Sequence, residues 1–121
     1  MLLVKTYLAA STVHGIGLFA AEPIAEGTVL WRFDPRIDRR FTKAERDDLP
    51  EPAARFVATY CYPEFVSSET YLLDGDHARF MNHSATPNTD CSVDTVATRD
   101  IAAGEELLCD YGQFHPDHQL F

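Results

Sequence analysis

The chain has 121 residues, of which 45% are hydrophobic, 24% charged and 12% aromatic, the make-up of one compact globular domain. Ten Lys and Arg against nineteen Asp and Glu leave a formal net charge of −9, which argues against duplex binding, a function that needs a basic stripe to displace counterions. The surplus is confined to residues 56–121, where only Arg79 and Arg99 stand against eleven carboxylates, so that half either steers cations or is a solvated acidic surface.

In chain order, the first third reads as short strands over Leu2–Leu8, Gly17–Ala21 and Thr28–Arg32, with Glu26-Gly27 turning into the third. Thr42-Lys43-Ala44-Glu45 is a capping-box pattern that starts a short helix, and Pro50 ends it. A second helix follows with Pro52 in its first turn, and Phe56, Val57, Tyr60 and Cys61 form its expected buried side. Beyond Tyr62-Pro63 the strands return at Tyr71–Leu73, in a hairpin turning near Asp94-Thr95, and at Leu107–Tyr111. Gly112–Phe121 has little periodicity and reads as an irregular tail. Many short strands around one helical insert indicate a β-rich α+β domain.

Cys61, Cys91 and Cys109 are odd in number and widely spaced, a pattern of neither a disulfide framework nor a zinc knuckle. The first residues lack the basic and apolar regions of a signal peptide, and no apolar run approaches the ~18 residues a membrane span requires. A soluble, intracellular protein is expected, without membrane or direct nucleic-acid partners.

Three segments carry chemistry. In His14-Gly15-Ile16-Gly17-Leu18-Phe19-Ala20, two glycines one residue apart let backbone groups approach a ligand, although a plain turn has the same look. Arg79-Phe80-Met81-Asn82-His83-Ser84-Ala85-Thr86-Pro87-Asn88 packs an unusual density of hydrogen-bonding side chains between apolar residues. Gly104-Glu105-Glu106-Leu107-Leu108-Cys109-Asp110-Tyr111-Gly112 is a turn feeding a short apolar strand, and taken alone its tyrosine is an ordinary packed aromatic.

In this order the three segments resemble the SET domain of protein lysine methyltransferases, most closely the minimal stand-alone SET proteins of viruses and bacteria. The family's Arg-Phe-x-Asn-His-Ser-x-x-Pro-Asn run is complete at Arg79–Asn88, its Gly-Glu-Glu-Leu-x-x-Asp-Tyr-Gly run at Gly104–Gly112 and its Gly-x-Gly at Gly15–Gly17. The resemblance implies a single SET domain over residues 1–121, with several small mixed and antiparallel sheets and a C-terminal pseudoknot beneath the Arg79–Asn88 loop. Residues 33–70 would be its variable insert and 112–121 a tail covering the cofactor. It implies an S-adenosylmethionine-dependent enzyme that methylates a lysine amine of a basic protein, with histone or histone-like proteins as candidate substrates.

By the same resemblance, Gly15, Ile16 and Gly17 would hold the methionine end of the cofactor through their backbone. Asn82 and His83 would bind it further, and Tyr111 would be catalytic. Phe114, ahead of Phe121, is expected to cover the cofactor, because Ala85 stands where many relatives have a zinc-serving cysteine and no cysteine cluster follows Tyr111; no metal is expected. Cys109 occupies the position where relatives often carry an aromatic that limits methyl number. Tyr60 and Tyr62 are candidate walls of a lysine channel, or else core aromatics of the helix face. A homodimer is expected by analogy with the viral type. The site would be cytoplasmic, or nuclear (including a host nucleus) if histone-directed.

The residue chemistry agrees. Methyl transfer needs a neutral lysine amine, whose ordinary pKa of about 10.4 must be lowered by a cationic cofactor and an apolar channel. Two other readings compete. A catalytically inactive SET-like module would bind lysine-rich segments through its acidic half, and a small metalloprotein would use His14, His77, His83, His115 or His118.

Overall fold

The computed structural model describes residues 1–65 and 68–113. Phe114, His115, His118 and Phe121 lie outside the described residues. The strands are β1 (Thr6–Ala10), β2 (Ile16–Ala20), β3 (Val29–Trp31), β4 (Arg39–Thr42), β5 (Tyr62–Pro63), β6 (Thr70–Leu73), β7 (Asn82–His83), β8 (Thr89–Asp90), β9 (Thr95–Ala97) and β10 (Leu108–Cys109). Two helices, α1 (Lys43–Asp47) and α2 (Glu51–Tyr60), separate β4 from β5. The strands form four small sheets, β1-β2, β3-β9-β8, β4-β6-β5 and β10-β7, the last parallel and the others antiparallel. This is the expected β-rich α+β fold of small mixed sheets.

The first strand starts later than Leu2 and continues to Ala10, in register with β2 from Thr6↔Ala20 to Ala10↔Ile16. Leu2 makes only an isolated bridge to Trp31, because its N–H is taken by the Asp76 carboxylate at 2.8 Å. The hairpin is closed by Ser11, whose N–H donates to the Gly15 carbonyl at 2.8 Å, and Gly15 adopts φ +47°. That left-handed conformation is inexpensive only for glycine. Leu18, Ala20, Ile24, Leu30, Ala97, Ile101 and Leu107 bury the inner faces of these sheets as the principal core.

The capping box forms as read: Glu45 N–H donates to Thr42 Oγ1 at 3.1 Å, and Thr42 N–H donates to Glu45 Oε1 at 3.0 Å. On α2, Val57 is buried, and Cys61, just past its end, joins it beside Phe41. Phe56 departs from the expected buried side and is 42% exposed. Its ring lies 5.0 Å from that of Tyr60 and beneath the Arg79 guanidinium, so it forms an outer aromatic layer. The strand β4 has no counterpart in the sequence reading.

The strand expected over Leu107–Tyr111 contracts to β10, and Tyr111 begins a 3₁₀ turn, Tyr111–Gln113. The Asp110 carboxylate accepts the Gly112 N–H at 2.9 Å and turns the chain there. In the parallel pairing Leu108 lies opposite Asn82 and Cys109 opposite His83, which brings the second and third motifs side by side as the pseudoknot requires.

Buried Asn88 ties that junction. Its Nδ2 donates to the Glu106 carbonyl at 2.8 Å, and its Oδ1 accepts the Leu108 N–H at 2.9 Å. Asn88→Ala strands both backbone groups and is expected to cost about 2 kcal/mol. Chemical denaturation checks this; a loss below ~0.5 kcal/mol would show that the junction is held elsewhere.

Candidate functional site

The β1–β2 hairpin ends beside the second and third motifs. Asn82, on β7, is buried, and its Nδ2 donates to the carbonyls of His14 at 2.9 Å and Ile16 at 3.3 Å and to Glu106 Oε2 at 3.0 Å. Glu106 also accepts from the Ser11 hydroxyl at 2.7 and 2.9 Å. Each of the three motifs therefore supplies one side of a single hydrogen-bonded cluster. Gly17 packs tightly within it: a Cβ there would meet Glu106 Oε2 at 2.4 Å and displace that carboxylate. Gly15, by contrast, faces open space, and Ile16 is 53% exposed. The loop thus offers carbonyl oxygens and a carboxylate around an open turn, a set of acceptors suited to a cationic ligand. Asn82 Oδ1 accepts no hydrogen bond among the described residues.

On β7's other flank, Tyr111 is bracketed by the neighbours of Asn82. Its hydroxyl donates to the Met81 carbonyl at 2.5 Å, and its N–H donates to His83 Nδ1 at 3.0 Å. An accepting Nδ1 places the imidazole proton on Nε2. Burial pushes the Tyr111 phenol well above its ordinary value, with Cys109, Cys91 and Asp74 acting in the same direction, so it is a neutral hydroxyl at physiological pH.

Tyr111 opens onto a pocket whose aromatic lining includes Trp31, Tyr60 and Tyr62, with Cys109, Met81 and Asp74 completing the inner wall. The sequence-predicted residues Tyr60, Tyr62, Cys109 and Tyr111 thus meet in one cavity. The Tyr60 ring packs edge-on against Phe80 at 5.8 Å, and the Tyr62 hydroxyl donates to Asp74 Oδ1 at 2.7 Å. Cys109 is buried, and the adjacent Cys91 thiol together with burial pushes its own thiol far up, so it is an unreactive small wall. Phe114 lies outside the described residues.

Sequence reasoning did not single out Glu106 and Asp74 as site residues. Glu106 was legible only as a member of the Gly104–Gly112 motif with no role of its own, and Asp74 as an acid after the expected strand Tyr71–Leu73. No group of three or more His, Cys, Asp and Glu side chains among the described residues is arranged to hold a metal ion. No helix among them is long and apolar enough to cross a membrane.

Comparison with known proteins gives one consistent set of similarities. The family model that matches is the SET domain, over residues 15–112. Histone-lysine N-methyltransferase 2D of Homo sapiens is 32% identical over 88% of this chain, which spans 2% of that protein. The H3 lysine-4 specific histone-lysine N-methyltransferase of Yarrowia lipolytica is 33% identical over 85% of this chain and 10% of its own length. The chain therefore corresponds to a small part of these relatives. Among solved structures, Polycomb Repressive Complex 2 of Chaetomium thermophilum bound to S-adenosylmethionine is similar over 92% of this chain and 16% of that chain, at 25% identity and a TM-score of 0.66.

Proposed function

The chain belongs to the SET domain family, and from that premise we propose that it methylates the side-chain amine of lysine in a basic protein, histone or histone-like, using S-adenosylmethionine. The observation that carries this reading is the meeting of Tyr60, Tyr62, Cys109 and Tyr111 in one aromatic pocket that abuts β7, whose Asn82 anchors the Gly15–Gly17 loop.

The loop fits the cofactor by its chemistry. S-adenosylmethionine, when bound, supplies a methyl group on a positively charged sulfur and carries an ammonium at its methionine end. The carbonyls of His14 and Ile16, the free Asn82 Oδ1 and the Glu106 carboxylate are acceptors of the right kind for those charges. Asn82 and Glu106 would hold the loop in shape, and Gly15, Ile16 and Gly17 would present its backbone. His83, whose ring accepts the Tyr111 N–H, would bind the cofactor largely through its backbone. Phe114 would close over the site.

The pocket suits a lysine side chain. Tyr60, Tyr62 and Trp31 offer faces to the alkyl stem and to the cationic head. Beside the positive charge of the cofactor the neutral amine would be favoured, and its lone pair is the nucleophile. Tyr111, already donating to Met81, keeps lone pairs to accept from the amine and so to aim it. Because its phenol stays protonated, the reading sends the amine's proton to water rather than to Tyr111. Holding the two reactants in line supplies most of the acceleration. Cys109 leaves more room beside the amine than an aromatic would, and this position would govern how many methyls are added.

The −9 charge, concentrated in residues 56–121, would draw a basic substrate to this face. An intracellular location follows from a histone-like substrate, and a homodimer rests on the viral analogy alone, which sedimentation tests.

Calorimetry with S-adenosylhomocysteine tests the cofactor assignment. The wild-type chain is expected to bind it, and Gly17→Ala, which drives Glu106 off Ser11 and Asn82, is expected to bind at least about tenfold more weakly. Absence of binding to the folded wild-type chain would refute the reading.

A further inference from the structure

The lining of the pocket holds a carboxylate that forms no ion pair among the described residues. Asp74, just past the end of β6, is only 6% exposed. Its carboxylate accepts the Tyr62 hydroxyl at 2.7 Å and makes no ion pair among the described residues. The nearby cation is committed elsewhere: Arg79 donates through Nε to the Asp74 main-chain carbonyl at 3.1 Å and lays its guanidinium over the Phe56 and Tyr60 rings. Glu64, the other carboxylate of the lining, is already paired with Arg40 at 2.6 Å.

The other charged groups acting on Asp74 among the described residues are two carboxylates and the Met1 ammonium, which is committed to Asp38. Asp38 is buried behind the wall, where it accepts from the Met1 amino group at 2.5 Å and from Gly75 N–H at 3.0 Å. Asp76 accepts from Leu2 and Ala78 N–H groups at 2.8 and 3.1 Å. The same lining includes the Cys91 and Cys109 thiols and the Tyr111 phenol. A buried carboxylate facing only one phenol is expensive unless a cation arrives to compensate it.

We infer that Asp74, aligned by Tyr62, is a positioning residue that selects the ammonium form of the incoming lysine and draws it to the base of the pocket. This deepens the lysine-methylation reading and rests on it. The lysine enters protonated, its head held against Asp74 and its stem between the aromatic walls. The proton then leaves the nitrogen for water, and the neutral amine passes to Tyr111. Asp74 performs this task only as a carboxylate. Burial pushes its carboxyl up to about 7; the Tyr62 hydrogen bond and, more weakly, the Met1 ammonium pull it down, while Asp38 and Asp76 push it further up. Ammonium capture is therefore lost as pH falls through about 7.

The test is the pH profile of kcat/KM for core histones, which reports groups of the free enzyme. The wild-type profile is expected to contain a rising limb centred near 7. In Asp74→Asn that limb disappears, and at pH values well above it kcat/KM falls about tenfold through KM, with S-adenosylhomocysteine binding retained. In Tyr62→Phe, which removes the downward pull, the limb moves to higher pH. A structural role alone would lower activity equally at every pH, and a limb unchanged in Asp74→Asn overturns the inference. If Asp74→Asn fails to fold, Tyr62→Phe decides: an unmoved limb contradicts the inference.

A second arm separates this inference from the activity on which it rests. Nα-acetyl-lysine methylamide should bind the wild-type pocket, as seen by ligand-observed NMR, and its norleucine counterpart should not. Equal binding of the two refutes ammonium selection even where methyl transfer is robust. Discrimination without any transfer upholds the cation site and refutes the enzyme.

Discussion

Tyr111→Phe is expected to slow methyl transfer at least about a hundredfold while leaving S-adenosylhomocysteine affinity within about threefold of wild type. The hydroxyl donates to the Met81 carbonyl and, being neutral, would present lone pairs to the amine in the proposed reaction. Removing it deletes the acceptor that aims the nucleophile, and a misplaced nucleophile loses rate steeply. The backbone link from Tyr111 N–H to His83 Nδ1 survives the change, so β7 and the turn after β10 remain joined. The cost in stability is confined to one stranded carbonyl, about 1 kcal/mol. Single-turnover transfer measured beside a thermal melt separates the two effects. Undiminished transfer by the variant would remove Tyr111 from the chemistry.

The largest expected loss of stability comes from Gly75→Ala. A Cβ at this position would stand 1.6 Å from the Ile37 carbonyl oxygen and 2.6 Å from its carbon. These are backbone atoms in a turn that cannot yield, since Ile37 and Asp38 N–H both bond to the Asp34 carbonyl, at 3.0 and 2.8 Å. The Asp38 carboxylate then gathers Asp34 N–H, Gly75 N–H and the Met1 amino group. Relieving the clash means tearing that buried cluster apart, which is expected to cost about 4 kcal/mol. The corresponding fall in Tm is roughly 15 °C. Because Gly75 adjoins Asp74, the surviving folded fraction should also bind lysine poorly. A Tm within a few degrees of wild type would show that the 34–38 turn is not fixed.

How far the sequence carries the fold differs from element to element. The capping box at Thr42–Glu45 and the first turn of α2 were legible because their signals are local: a side chain bonds a backbone three residues away, and proline is tolerated only at a helix start. The strand β4 was not legible, since Arg-Arg-Phe-Thr shows a single apolar residue, and that residue is covered by the Arg39 guanidinium at 4.6 Å. Helical spacing placed Phe56 and Val57 on one side, but neighbouring residues point about a quarter-turn apart, and only Val57 meets Phe41.

The site divides in the same way. The pairing of β7 with β10 has no local signal, because it depends on Asn88 side-chain bonds to residues far along the chain. It was readable only through the family resemblance, on which Asn82, His83 and Tyr111 were assigned. Tyr60 and Tyr62 were ambiguous between core and channel, and their meeting with Cys109 in one cavity follows from tertiary packing. Asp74 and Gly75 are invisible to pattern reading: their importance lies in what Tyr62 and Ile37 bring against them.

The most direct test of the account is transfer from S-adenosylmethionine carrying a labelled methyl group to purified core histones, followed by mass spectrometry to locate the label. The account predicts methyl groups on lysine side-chain nitrogens, with the signal lost in Tyr111→Phe. Label on other residues, or none on any lysine while the folded chain binds S-adenosylhomocysteine, would contradict it.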